Sequence, residues 1–129
     1  TEAVAQAMQP GDHGTTVGGG AFVAHGATHV CDRISDPALL EHVREMEHAM
    51  CELLAGVQRR SPKVRAVRGR GLMWGVDVTD PAKDVVARAL DQKLLLVGAG
   101  DHTIRLLPPL VIGRDDLAKG IEQLEAAIG

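Results

Sequence analysis

Hydrophobic side chains recur at helical spacing after Asp36-Pro37. The apolar positions, three or four residues apart, are Leu39, Leu40, Val43, Met46, Met50, Leu53, Leu54 and Val57. This spacing predicts one buried stripe along a helix. Asp36 suits the N-cap and Pro37 the first helical position. Because the residue before a proline disfavours helical geometry, we predict that the helix ends near Arg60, before Ser61-Pro62.

A period of two follows in the middle of the chain. Leu72, Trp74, Val76 and Val78 alternate with other residues, which predicts a strand over 72–78 with one buried face. We predict its partner strand over 64–67, with 68–71 (Arg-Gly-Arg-Gly) as the turn. Further strands are predicted at 94–97 and 103–107, around a turn at 98–101.

The other helices are predicted from capping residues and apolar spacing. Glu2 to Met8 resembles the end of a helix, which Pro10-Gly11-Asp12 stops. We predict further helices over 21–33, 82–92 and 113–128, the second started by Asp80-Pro81 as cap and first residue. Paired strands between helices indicate an α+β fold, with helices packed on a small, mostly antiparallel sheet.

Composition excludes several classes of function. The chain has 129 residues, 45% of them hydrophobic, and a net charge of -3, which is typical of one globular domain rather than a disordered tail. Aromatic residues make up 2%, too few for stacking on bases. We therefore expect no nucleic-acid partner and, without a long apolar run, no membrane span. Cys31 and Cys51 are expected to be reduced thiols in a cytoplasmic protein, with a disulfide as the alternative.

The first candidate site is the glycine-rich loop from Gly11 to Gly20. It contains Thr15 and Thr16 and no bulky side chain. Its backbone N–H groups, together with those at the start of the following helix, are suited to an anion or phosphate. The alternative is a flexible glycine linker. Since no strand precedes the loop, it is not a nucleotide-binding loop of the strand–loop–helix type.

Arg105 is the second candidate. It lies within Ile104-Arg105-Leu106-Leu107, on the opposite face from Ile104 and Leu106. A buried, unpaired charge is costly, so a guanidinium here is suited to binding a carboxylate through two hydrogen bonds. The alternative is an exposed arginine on an edge strand.

Two further patterns favour ordinary surface roles. Six basic residues and no acid lie between Arg59 and Arg70, which could contact phosphates but is also typical of a solvated helix end and hairpin. His25 and His29 are four residues apart and could form part of a metal site. Without an apparent third ligand, we interpret them as surface histidines and expect no metal.

Three segments, in order, carry a resemblance to a known family. AMQPGDHGTTVGG, VRAVRGRGLMWGVDV and IRLLPPLVI are similar to motifs in the C-terminal part of class-III (subgroup II) aminotransferases, which depend on pyridoxal 5'-phosphate (PLP). The acetylornithine/succinylornithine branch is the most similar. The resemblance implies fold type I, with residues 1–34 as the end of the large PLP domain and 35–129 as the C-terminal small domain.

The resemblance also implies roles and partners. Thr16, with Thr15, would bind the cofactor phosphate across a homodimer interface, and Arg105 would bind the substrate carboxylate. The family's Schiff-base lysine lies upstream of this sequence, and none of Lys63, Lys83, Lys93 and Lys119 lies in a matching motif. The resemblance therefore implies no catalytic residue in this chain, which would need an N-terminal, lysine-bearing portion. The substrates would be an amino acid and a 2-oxo acid.

Two departures and one rival interpretation remain open. Gly20-Ala21 stands where the family usually has Asn-Pro, and Val17 where an aromatic residue is usual, which puts the loop geometry in question. The chain begins at Thr1, so we expect either removal of a Met or a longer parent protein. The rival is a free-standing, non-catalytic α+β module that binds an anion or a partner. The aminotransferase interpretation expects exposed apolar surface over 21–30.

Overall fold

Residues 1–7, 11–12, 14–16 and 18–129 are described by a computed structural model. The chain forms two compact units, Thr1–Ser35 and Asp36–Gly129. The first contains helices α1 (Glu2–Ala5) and α2 (Ala21–Ile34). No residue of α2 is buried, and Phe22 is 92% exposed. The expected exposed apolar surface over 21–30 is therefore confirmed. Met8 and Pro10 of the predicted first helix and its stop lie outside the described residues.

The long helix α3 (Pro37–Arg60) opens the second unit, with the predicted bounds. The carboxylate of Asp36 accepts a hydrogen bond of 2.9 Å from the N–H of Ala38, so Asp36 is the N-cap. The predicted stripe faces the core along the second half of the helix, where Met50, Leu54 and Val57 are buried.

The sheet has four strands in the order β1-β2-β4-β3, and all neighbours are antiparallel. Its strands are β1 (Val64–Arg70), β2 (Met73–Val78), β3 (Val97–Gly98) and β4 (Thr103–Leu106). The helices α3 and α4 (Ala82–Asp91) contact the sheet, and α5 (Arg114–Ile128) packs against both of these helices. This confirms the predicted α+β fold class.

The core lies between the three helices and one face of the sheet. Completely buried side chains come from every layer: Met50, Leu54, Val57, Val76, Val78, Val85, Ile104, Leu124 and Ile128. The other face of the sheet carries no helix of this unit, because α3, α4 and α5 all contribute to the one core. We call this second face the open face. Within the described residues, no helix is long and apolar enough to cross a membrane.

The predicted turn at 68–71 is wrong, because β1 continues to Arg70. Arg68 pairs with Gly75, and Arg70 pairs with Met73, so only Gly71-Leu72 remains as the turn. Gly71 has a φ of +56°, the left-handed geometry that two-residue hairpin turns require at such a position. A two-residue turn allows both strands to stay paired to their ends.

Two predictions around α4 also need correction. Asp80 does not cap the helix; its carboxylate accepts hydrogen bonds from Arg88 (2.8 Å) and Lys63 (3.4 Å) instead. The strand predicted over 94–97 is only Val97–Gly98. The N–H of Leu94 bonds the carbonyl of Ala89 at 2.9 Å, so the chain is still closing the last turn of α4 at that point. The predicted last strand ends one residue early, at Leu106.

Gly69→Ala is expected to destabilise the hairpin. A Cβ at this position would lie 2.4 Å from the indole ring of Trp74 and 2.5 Å from the carbonyl oxygen of Met73. Overpacking of this kind lowers the free energy of unfolding by about 1–3 kcal/mol, measurable by urea denaturation. Gly120→Ala is the control, since its Cβ would meet nothing within 4 Å on α5, and we expect a gain of about 0.5–1 kcal/mol. Equal effects of the two substitutions would refute this packing role for Gly69.

Candidate functional site

Arg105 lies on the open face, in an inner strand. Its neighbours Ile104 and Leu106 are buried against the helices, whereas Arg105 is exposed. This confirms the predicted alternation. The alternative of an exposed arginine on an edge strand is confirmed in its exposure and wrong in its position, because β4 lies between β2 and β3. Arg105 therefore projects from the middle of a sheet face, where its backbone is held by strands on both sides.

The residue opposite Arg105 has no side chain. Gly75 on β2 is its cross-strand partner, and the side chains of Arg68 and Thr103 lie over it, beside Arg105. A shallow cavity of about 450 Å³ lies here, lined among others by Arg68, Met73, Gly75, Thr103 and Arg105. Strong positive charge beside a small cavity suits an anionic ligand.

A second cavity also reaches Arg105. It has a volume of about 540 Å³ and lies between the segment before β3, the segment after β4 and helix α5. Its wall includes Leu95, Leu107 and Pro108, and Leu95 and Leu107 are largely exposed. Arg105 lines both cavities, so a carboxylate bound to it would be close to apolar surface on one side.

Asp77 is the acidic residue on the open face, and both of its carboxylate oxygens have partners. Its Oδ1 accepts a hydrogen bond of 2.6 Å from the hydroxyl of Thr103. Its Oδ2 accepts a charge-assisted hydrogen bond from the guanidinium of Arg68. The Arg68 guanidinium, with the Thr103 hydroxyl, lowers the pKa of Asp77 below its ordinary value. Asp77 is therefore ionised and already paired.

This ion pair was missed at the level of the sequence. Arg68 was assigned to a turn and grouped with a basic run, so its strand partner was not considered. The period of two along β2 places Asp77 on the same face as Gly75, and this alternation was the signal that could have found it. The geometry leaves Arg105 without an ion pair among the described residues, and therefore available for an external carboxylate.

The Asp77 pair predicts a loss of stability in acid. Because the pKa of Asp77 is lower in the folded than in the unfolded chain, its stabilisation is present above about pH 4 and is lost as the pH falls through the folded pKa. We expect Asp77→Asn to lower stability at neutral pH and to reduce the further loss between pH 5 and pH 2. Urea unfolding across this range measures both effects.

The control for the pH experiment is Asp84→Asn. Asp84 is exposed on α4 and forms no ion pair in the part of the chain that the structure describes. It should keep the acid dependence of the wild type. An Asp77→Asn curve that runs parallel to the wild-type curve at every pH would show that Asp77 does not contribute in this way.

The glycine-rich loop belongs to the first unit. Thr15 uses its hydroxyl within the loop, where Oγ1 accepts a hydrogen bond of 3.1 Å from the N–H of Gly18. A Cβ on Gly18 would lie 2.2 Å from Cγ2 of Thr15, and Gly19 has a φ of +78°. A side chain at Gly18 would displace that of Thr15, and a residue other than glycine at position 19 would be strained by the positive φ. Thr16 is exposed, and its hydroxyl has no hydrogen-bond partner within the described residues.

Helix α2 begins directly after this loop. Gly20 is its N-cap, with extended backbone and no side-chain cap, so the N–H groups of the first turn remain available. The helix starts at Ala21, so the expected loss of a proline at this position does not prevent the helix from beginning there. Val17 and His13 lie outside the described residues. Thr15 and Thr16 belong to the first unit, and Arg105 belongs to the second. The glycine-rich loop and the surroundings of Arg105 are therefore described as two separate candidate sites.

The remaining candidates form no site. His25 and His29 are exposed on α2, and the described residues contain no group of three metal-binding side chains. Cys31 and Cys51 are free thiols, as expected. In the basic run, Arg60 pairs with Glu125 at 2.6 Å, Lys63 pairs with Asp80, and Arg68 pairs with Asp77, which favours the solvated-surface interpretation.

Comparison with known proteins decides the family. The family model for aminotransferase class-III matches residues 1–128. The chain belongs to the class-III aminotransferases. Among curated class-III relatives, it is 38% identical over 128 residues to acetylornithine aminotransferase 1 of Bradyrhizobium diazoefficiens, covering 98% of this chain and 32% of that protein. It is 34% identical to the mitochondrial acetylornithine aminotransferase of Eremothecium gossypii, covering 98% and 30%.

Solved structures confirm the fold type I architecture. Acetylornithine aminotransferase from Elizabethkingia anophelis matches with a TM-score of 0.80 at 24% identity, covering 99% of this chain and 33% of that one. Ornithine aminotransferase from Plasmodium yoelii matches with a TM-score of 0.80 at 26% identity, covering 95% and 34%. This class-III chain spans about a third of the length of the relatives it matches.

Proposed function

We propose that this chain is the C-terminal portion of a PLP-dependent transaminase. The reaction moves an amino group between N-acetylornithine, or a related ω-amino substrate, and 2-oxoglutarate. The observation that carries the proposal is Arg105, an unpaired guanidinium held in an inner strand beside an open cavity. The names of the relatives support the substrate class, since several are acetylornithine aminotransferases.

In this proposal the two units are parts of different domains. Residues 1–34 are the end of the large PLP domain, containing the phosphate loop and the helix after it. Residues 35–129 are the small domain. The boundary between the compact units, after Ser35, supports this division. The exposed apolar side chains of α2 also support it, because such a helix face usually packs against another element.

The loop residues fit the phosphate of PLP. The Thr16 hydroxyl is free to donate, the Thr15 hydroxyl accepts from Gly18 and can still donate outward, and the first turn of α2 offers backbone N–H groups. When bound, PLP supplies the electron sink that stabilises negative charge at the amino-bearing carbon of the substrate. Thr16 and Thr15 hold and orient the phosphate in this proposal.

Arg105 acts on the substrate. Its planar guanidinium offers two parallel N–H groups, which match both oxygens of a carboxylate. Every amino donor and every 2-oxo acid in the reaction has such a carboxylate, so one arginine serves both half-reactions. Binding there fixes the position of the neighbouring carbon at which the amino group is exchanged.

The remaining chemistry comes from partners. The lysine that carries PLP belongs to the N-terminal portion of the enzyme, which the 129 residues do not include. We propose a homodimer in which Thr16 contacts the phosphate bound by the other subunit. The cytoplasm is the proposed location; some fungal relatives are named as mitochondrial.

Thr16→Ala in the complete enzyme is expected to weaken PLP binding about tenfold or somewhat more. It removes one hydrogen bond to a charged group, worth roughly 1.5–3 kcal/mol, while backbone N–H groups remain. The measurement is the PLP retained after dialysis, read by absorbance. The variant should also dissociate into monomers more readily once PLP is removed.

Thr28→Ala is the matched control for this experiment. Its hydroxyl donates to the carbonyl of Ala24 within α2, at 2.9 Å, so PLP retention should stay at the wild-type level. Wild-type retention by Thr16→Ala would remove Thr16 from the site. Reduced retention without any change in dimer dissociation would leave the phosphate role in place and refute only the contact across the interface.

A further inference from the structure

The open face places an acidic residue close to the proposed substrate-binding arginine. Arg105 is opposite Gly75, and Asp77 is opposite Thr103, two pairs further along the same two strands and therefore on the same face. Arg105 and Asp77 are therefore diagonal neighbours on one face, with Cα atoms about 7–8 Å apart. Arginine is long enough to span that distance, and opposite charges on neighbouring strands attract.

Asp77 is nevertheless occupied by other groups. Arg68 on β1 donates to one carboxylate oxygen and Thr103 on β4 donates to the other. The side chain of Arg68 crosses over Gly75 to reach Asp77, because its Cγ and Cζ each lie 3.9 Å from the place where a Cβ on Gly75 would be. The small residue at position 75 leaves the side chain of Arg68 an unobstructed path over the strand, since even a Cβ there would lie at ordinary contact distance.

We infer that Arg68 and Thr103 are positioning residues for Arg105: by binding both oxygens of the Asp77 carboxylate, they keep the Arg105 guanidinium free for the carboxylate of the substrate. The inference rests on the proposed function, since it assigns a task to the surroundings of Arg105. It explains why a face with one acid and several arginines leaves the central arginine unpaired.

The test is a double-mutant cycle in the complete enzyme, using steady-state kinetics with N-acetylornithine and 2-oxoglutarate. In Arg68→Gln, Asp77 loses its strongest partner and competes for Arg105. We expect KM for both substrates to rise roughly 2–5-fold, the range for competition by one solvent-exposed ion pair, with kcat nearly unchanged because the carboxylate is bound throughout the reaction.

The other members of the cycle separate this role from a structural one. Asp77→Asn should leave both KM values unchanged or lower, since no competing carboxylate remains. Arg68→Gln combined with Asp77→Asn should return KM to near the wild-type value. Arg68→Lys keeps a positive charge beside Asp77, so its KM should also stay near the wild-type value. Arg68→Gln and Asp77→Asn break the same ion pair, so their Tm values should fall alike while their KM values move apart.

A structural role alone gives a different pattern. KM would then rise equally in Arg68→Gln and Asp77→Asn, with no recovery in the double variant, and that result would overturn the inference. If Arg68→Gln does not fold, Thr103→Val still tests the inference. This substitution releases one oxygen of Asp77 and should raise KM about twofold to threefold. A lower or unchanged KM in Thr103→Val would count against the inference.

Arg105→Gln distinguishes failure of this inference from failure of the proposed function. If Arg105→Gln raises KM for both substrates but Arg68→Gln and Thr103→Val match the wild type, only the positioning role is wrong. If Arg105→Gln leaves KM unchanged, Arg105 does not bind the substrate, and the proposed function loses the observation that carries it.

Discussion

The 129-residue chain by itself is expected to show no transaminase activity, even with PLP added. Its lysines are Lys63, Lys83, Lys93 and Lys119. Lys63 is engaged with Asp80 and with the carbonyl of Ile128 at the end of α5, and the other three are exposed. Lysines that form covalent bonds with carbonyl compounds in enzymes are activated by a desolvated or cationic pocket. Lys93 and Lys119 contribute to the wall of the 540 Å³ cavity, but both side chains are exposed to solvent, so neither is activated by desolvation.

Borohydride reduction in the presence of PLP, followed by peptide mass mapping, measures this directly. We expect slow, scattered labelling of several lysines and no turnover of N-acetylornithine and 2-oxoglutarate. A single stoichiometric adduct on one of the four lysines, together with turnover, would show that the chain is a complete enzyme. A class-III aminotransferase that includes its lysine segment, treated in parallel, is the positive control and should give one adduct.

Arg105→Lys in the complete enzyme is expected to lower kcat/KM for both substrates by about 10–100-fold. The planar fork that binds two carboxylate oxygens becomes a single ammonium, and hydrogen bonds to a charged group are worth roughly 1.5–3 kcal/mol. Since amino donor and 2-oxo acid share the carboxylate, both should be affected to a similar extent.

The control for this substitution is Arg114→Lys. Arg114 is exposed at the start of α5, with Glu52 at 3.8 Å as its only ion-pair partner among the described residues, and we expect wild-type kinetics. Unchanged kinetics in Arg105→Lys would show that Arg105 has a structural role only. A loss confined to one substrate would contradict the shared carboxylate contact.

Helix positions were predictable because their signals are local. The N-cap, the proline and the apolar stripe of α3 lie within a few residues of each other, and both ends of the helix were found from them. The orientation of Arg105 was also predictable, since a period of two needs only the neighbours Ile104 and Leu106. The glycine-rich loop was identified from composition, but the use of the Thr15 hydroxyl by Gly18 depends on backbone geometry that composition does not contain.

The predictions that were wrong concern residues whose partners are distant in the sequence. Arg68 lies in a strand because Gly75 pairs with it, and the pattern Arg-Gly-Arg-Gly favours a turn as long as that pairing is unknown. Asp80 before a proline is typical of a helix cap, yet Arg88 and Lys63 compete for its carboxylate. Electrostatic partners of this kind are visible only once the strands and helices are assembled.

The most direct test of the central claim is to isolate the chain from its native source through a C-terminal tag, reduce it with borohydride, and map the PLP-bearing peptide by mass spectrometry. We predict PLP on one lysine outside these 129 residues, in a segment that is either continuous with the chain or present with it in equal amounts. The preparation should transaminate N-acetylornithine with 2-oxoglutarate. A 129-residue monomer that carries no PLP and binds none would contradict the claim, and would favour a non-catalytic module that binds an anion or a partner.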